Sequence, residues 1–423
     1  MKSPDIRFEM VLGVALRGAG AVSSFVLIWL IAHEYGAPVV GRYQVALTTV
    51  SLLSLIASAG LDVALVRHIG AVRSESPDKD TVKTLAQCRK YTLQMAVLVT
   101  VLLLCAAPLL SLYIDGNYRL LKYFLVFAPS ITLLAMLKLS NSFLRSFGFV
   151  KWSQTLEGVF YTTFAALVLA IFWATGIAVS PLIVASSYVL AMFLAFLISH
   201  SKVRYISRPA GNSATSFLSR GSGAKIGAVM AITNFGNLLI LYLVGAWLGI
   251  GDAGIFRTAM QVAMVLQLIN AAFAMMIGPH MARAAAINSR GEILRLIANA
   301  SLIGLLLSAP IGIACVVYPE FVLGLFGDGF RTGSDALQIL FFALLLDVLL
   351  GQTGTALVMQ MKEGRVFLSE FVAVLAALAM AFILIPKLGM VGAAFGVLAM
   401  SMVRNLSNLA FLFHGQHLRI NLS

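Results

Sequence analysis

Four cations stand inside otherwise apolar stretches of this chain: Arg17, Lys138, Arg257 and Arg404. A charge at mid-bilayer costs about 2.5–3.5 kcal/mol on insertion scales, so none of the four is expected to face lipid. Each needs a carboxylate, a backbone carbonyl or a water-filled cavity, and in a cavity it would hold an anion, arginine taking two oxygens at once. Arg17 is the clearest cavity candidate, because Gly13, Gly20, Ala21 and Ser24 share its helical face and make a small, polar stripe. An interhelical contact at a glycine-rich crossing is the alternative. Arg257 shares a face with Gln261, and Arg404 with Ser401 and Asn408, a pattern that ordinary helix packing also explains. Arg42 and Lys138 are further anion candidates, each with the alternative of snorkelling to an aqueous surface.

The carboxylates in or at the ends of apolar runs are Asp62, Glu157, Asp347 and Glu370. A carboxylate that binds a proton or metal cation could couple ion movement to a conformational cycle, and Asp347, Asp62 and Glu157 are the candidates. Asp347 precedes Gly351, Gln352, Thr353, Gly354 and Thr355, a run suited to a distorted helix; a salt bridge to a buried arginine is the reading preferred for it. Asp62 lies five residues before Arg67 and is assigned to a cytosolic gate or loop. Glu157 shares a face with Gln154 and Tyr161, so an interhelical hydrogen bond is its alternative. Glu370, five residues from Arg365, is expected to stay solvated.

Other chemistry finds no support. No Walker loop, GxSxG elbow or HExxH motif occurs, so no catalytic residue is assigned and an enzyme is not expected. Cys88, Cys105 and Cys315 show neither CxxC nor Cys/His spacing, which predicts no metal site, disulfide framework or cofactor.

The elements that must position these charges are membrane helices. Hydrophobic residues make up 60% of the 423 residues and charged residues 11%, too little polar surface to cover a soluble globule. The apolar runs predict about twelve spans, near 10–33, 41–66, 85–113, 121–145, 151–176, 179–200, 224–248, 252–282, 292–318, 333–360, 364–386 and 389–413. Most Lys and Arg fall on one side of these spans, with Arg42, Arg119, Lys122, Arg331 and Lys387 on the other. That asymmetry places both termini in the cytosol of a bacterial inner membrane. The net charge of +13 then reflects topology and attraction to anionic membrane lipids, and nucleic acid is not an expected partner.

Residues 29–60 align without gaps on 242–273, matching Gly36 with Gly249, Gly41 with Gly254 and Tyr43 with Phe256. The chain therefore reads as an all-α membrane protein of two six-helix lobes, 1–200 and 224–423, related by a pseudo-twofold along the membrane normal and joined by a cytosolic linker, 201–223.

HEYGAPVVGRYQVA after the first helix, SAGLDVALVRHIG at the end of the second, and WLGIGDAGIFRTA in the second half carry a family resemblance. The chain resembles Wzx-type polysaccharide flippases of the multidrug/oligosaccharidyl-lipid/polysaccharide exporter superfamily. The resemblance implies movement of undecaprenyl-pyrophosphate-linked oligosaccharide to the periplasmic leaflet, through a cationic cavity whose arginines retain the pyrophosphate. It also implies a polysaccharide polymerase and glycosyltransferases as partners. The alternative within the superfamily is a cation-coupled exporter of drugs or small amphiphiles.

Overall fold

In a computed structural model of the chain, residues 6–72, 79–207, 221–287 and 289–413 are described. Among the described residues there is no strand, and 12 helices are long and apolar enough to cross a membrane, from Ala15–Tyr35 to Met390–Phe413. Helices satisfy every backbone group internally, which is what hydrocarbon demands. Their outward faces are oily: Val97, Val101, Leu306 and Phe382 are all exposed. This is an all-α, multi-pass membrane protein.

Packing divides the chain into two compact units, Met1–Asn234 with Gly249–Gly254, and Phe235–Leu248 with Ile255–Ser423. Of the expected linker, 208–220 lie outside the described residues, as do both chain ends; helix runs to Ser207 and resumes at Gly221.

The first unit contains α1 (Ile6–Tyr35), α2 (Ala37–Ser58), α3 (Leu61–Val72), α4 (Lys79–Asp115), α5 (Arg119–Phe127) and α6 (Pro129–Ser146). After α7 (Val150–Gln154) comes a π-helical turn, Thr155–Val159, that runs into α8 (Phe160–Thr175), followed by α9 (Pro181–Ser207). The expected span 41–66 is broken: Ala59 and Gly60 take φ of 47° and 72°, ending α2 and restarting the chain as α3. An aromatic knot of Tyr43, Phe127, Tyr161 and Tyr188 ties α2, α5, α8 and α9 together, with ring centroids 5.2 to 6.3 Å apart.

The matched glycines of the repeat show why their type matters. Gly36 and Gly249, each at a junction before a helix, both take positive φ (76° and 111°). Gly41 and Gly254 meet backbone to backbone inside the first unit: a Cβ on Gly254 would lie 2.7 Å from the Gly41 nitrogen and 2.4 Å from the Ala37 carbonyl oxygen. Tyr43 and Phe256 are each 1% exposed.

From α10 (Gly221–Leu248) and α11 (Ile250–Ala263), which contribute to both units, the chain continues through α12 (Val265–Ala286), α13 (Arg290–Gly312) and α14 (Pro319–Gly324). α15 (Ser334–Leu350), α16 (Gln352–Met359), α17 (Glu363–Leu388) and α18 (Met390–Phe413) complete the second unit. The expected spans 252–282 and 333–360 are each interrupted, at Met264 and at Gly351. At Gly351 the reason is close packing, since a Cβ there would fall 2.8 Å from Asn270 Nδ2. Asn270 on α12 in turn accepts a hydrogen bond from Gln352 Nε2 on its backbone oxygen, at 3.0 Å.

Candidate functional site

In the first unit, charges from α1, α3, α6 and the π turn converge. Lys138, Ser142 and Arg145 stand at i, i+4 and i+7 on α6 and therefore share a face. Arg145 forms an ion pair with Glu157 through Nη1 and donates from Nη2 to Ser142 Oγ at 2.7 Å. Arg17 is held nearby because Gly20, three residues on, packs against the π turn: a Cβ on Gly20 would be 3.3 Å from the Gly158 carbonyl carbon. Arg17 Nε makes a long bond of 3.5 Å to Gln154 Oε1 and lies in the fields of Glu157 and Arg145. Lys138 has no hydrogen-bond partner among the described residues and lies in the fields of Glu157 and Asp62. Asp62, in the first turn of α3, has one buried oxygen without a hydrogen bond.

Three cations thus face two carboxylates, leaving one positive charge in excess. In low dielectric such an excess attracts an anion far more strongly than it would in water. The Arg145–Glu157 pair is open, with side chains 27% and 29% exposed, so a polar ligand could reach it.

A second cluster occupies the second unit. Arg404 Nη2 on α18 donates to both oxygens of Asp347 on α15 at 2.6 Å, and Nη1 reaches Glu370 on α17 at 3.4 Å. Asn405 Nδ2 adds a bond of 2.7 Å to Asp347. Asp347, Arg404 and Asn405 border a cavity of about 330 Å³ that is also lined by Gln267, Asn270 and Asn408. Glu370 is 2% exposed, contrary to the expectation that it stays solvated, because it lies two turns inside α17 and faces Arg404.

The two remaining candidates stand apart from these clusters. Arg42 is clamped by Asp115 at 2.9 and 3.2 Å, with side chains 11% and 1% exposed, so its guanidinium is already occupied. Arg257 donates to Met264 Sδ at 3.6 Å, and among the described residues no carboxylate pairs with it. Arg145 was not among the sequence candidates, although its two-turn spacing from Lys138 was a usable signal.

The model of the family described as Polysaccharide biosynthesis protein matches residues 14–285, well over half of the chain. The chain belongs to this family. No curated protein matches the chain. Its fold is similar to that of a multidrug resistance MATE family transporter of the MOP superfamily in an inward-facing conformation, with TM-score 0.72 and 14% identity over 96% of this chain and 98% of that one. It is also similar to the lipid II flippase MurJ in an inward closed conformation, with TM-score 0.75 and 12% identity over 95% and 87%. A MOP superfamily transporter from Pyrococcus furiosus aligns with TM-score 0.67 and 15% identity over 96% and 93%. The MATE family transporter and the Pyrococcus furiosus transporter are members of the MOP superfamily, the one that the sequence resemblance names.

Proposed function

We propose that this membrane protein moves a polyprenyl-pyrophosphate-linked oligosaccharide from the cytosolic to the periplasmic leaflet of a bacterial inner membrane by alternating access. The observation that carries this reading is the excess of positive charge around Arg17, Lys138 and Arg145, where two of the three cations touch no carboxylate. A pyrophosphate diester carries two negative charges and several acceptor oxygens, which suits a cluster of that sign and size. The family's link to polysaccharide biosynthesis and a fold shared with a lipid II flippase support a glycan-lipid cargo. Arg257 supplies a further anion contact. Asp347, Glu370 and Arg404 form the ion-responsive element, Asp62 and Glu157 are counter-ions of the cationic cluster, and Arg42 keeps a structural place. A polysaccharide polymerase and glycosyltransferases act before and after the transfer, and both termini lie in the cytosol.

The test is to replace Arg17 with Ala at normal protein levels and follow which leaflet holds the lipid-linked intermediate. Accumulation on the cytosolic side is expected. Unchanged delivery, together with new sensitivity to cationic drugs in cells lacking the protein, would move the assignment to amphiphile export.

A further inference from the structure

We propose that Glu157 is a built-in counter-anion that holds the cationic cluster together until cargo phosphate takes its place, so that binding is an exchange of one anion for another. The proposal rests on reading this cluster as the phosphate site. Glu157 is the carboxylate that acts on all three cations: it pairs directly with Arg145 and lies in the fields of both Arg17 and Lys138. Three like charges brought together repel one another, and a carboxylate among them lowers that cost while the site waits.

The local structure suits a side chain that leaves without disturbing its backbone. Glu157 is the central residue of the π turn, and Tyr161 Oη donates to its carbonyl oxygen while the Tyr161 ring stands 5.2 Å from that of Tyr188 in the aromatic knot. The peptide is therefore anchored and the carboxylate is not buried. Its neighbour Gly158 has nothing within 4 Å of the position a Cβ would take, which leaves room beside the turn. Among the described residues, the other arginine–carboxylate contacts in the helix interiors, Arg42–Asp115, Arg404–Asp347 and Arg404–Glu370, have carboxylate side chains only 1%, 7% and 3% exposed. Of these contacts the Arg145–Glu157 pair is the one open enough to exchange. The charge count fits as well: Arg17, Lys138 and Arg145 against Asp62 and a doubly charged diphosphate diester come to zero once Glu157 swings aside.

The experiment measures binding to the full-length protein in detergent by calorimetry, with two probes: inorganic pyrophosphate and geranylgeranyl pyrophosphate. Glu157→Gln, nearly isosteric, is expected to bind both about tenfold more tightly than the native protein, because no internal anion competes. Glu157→Asp retains the charge and is expected to bind like the native protein, which separates loss of charge from loss of packing. Tightening for inorganic pyrophosphate alone would keep the exchange and overturn the lipid-linked cargo. Native binding that is unchanged or weakened in Glu157→Gln would overturn the exchange while leaving the phosphate site intact. Absence of binding by native protein and variants alike, at native melting temperatures, would overturn both.

Discussion

Arg404 grips Asp347 through both carboxylate oxygens at 2.6 Å, joining α18 to α15 in the interior of the second unit. Breaking a buried pair by removing one partner leaves an uncompensated charge, which costs about 3–5 kcal/mol. Arg404→Ala strands Asp347 and Glu370 without that guanidinium, whereas Asp347→Asn leaves Arg404 with Glu370. Arg404→Ala is therefore expected to lower the unfolding midpoint in detergent more than Asp347→Asn does. The reverse order would show that the Asp347 carboxylate contributes more through Asn405 than through Arg404.

The Gly41–Gly254 contact leaves no room for a methyl group. Gly41→Ala would put a Cβ 1.9 Å from the Ile250 carbonyl oxygen, and Gly254→Ala one 2.4 Å from that of Ala37. Overpacking of this kind costs about 1–3 kcal/mol or more. Gly18→Ala, with nothing within 4 Å, is the control and should gain about 0.5–1 kcal/mol from helix propensity. Thermal unfolding of the purified variants reads both signs.

Arg42 and Lys138 should separate stability from transport. Arg42→Ala leaves Asp115 buried without its partner and is expected to reduce the amount of folded protein. Lys138→Met keeps the bulk of the side chain and removes a charge without a hydrogen bond, so folding should hold while delivery of lipid-linked intermediate falls about tenfold. Quantifying delivery per folded molecule distinguishes the two.

Tyr161→Phe deletes the hydroxyl that anchors the Glu157 carbonyl but keeps the ring in the aromatic knot. The expected loss is about 0.5–1.5 kcal/mol, concentrated locally. Hydrogen exchange should quicken at the amides of 155–161 and stay unchanged in α9. Uniform quickening, α9 included, would mean that the hydroxyl supports the whole aromatic knot and not the turn alone.

Hydropathy reveals a membrane helix well because hydrocarbon admits few alternatives, and every expected span has a counterpart among the 12. Breaks within spans were less legible. Ala59–Gly60 and Gly351 interrupt helices where a neighbouring backbone or side chain comes close, and the hydropathy of residues 41–66 or 333–360 holds no trace of that neighbour. The same limit governs the charges. Periodicity placed Arg404 on a polar face with Ser401 and Asn408, but a face does not name its partner. Glu370, two turns into α17, looked like a surface residue because Arg365 stands near it in sequence. Arg145 belonged to the site through a spacing shared with Lys138, and its position at the end of α6 concealed this.

The π turn at Thr155–Val159 acts as a phase slip. One residue beyond the usual complement per turn rotates everything after Val159 by about 100° relative to a continuous α-helix. The segments Val150–Gln154 and Phe160–Thr175 therefore follow two different helical wheels, though they form one rod. Regular winding would turn the residues after Val159 toward other neighbours. With the slip, the rod turns Tyr161 toward Tyr188 and still presents Glu157 to Arg145, so a single surplus residue lets one helix answer to an oily neighbour and a charged one.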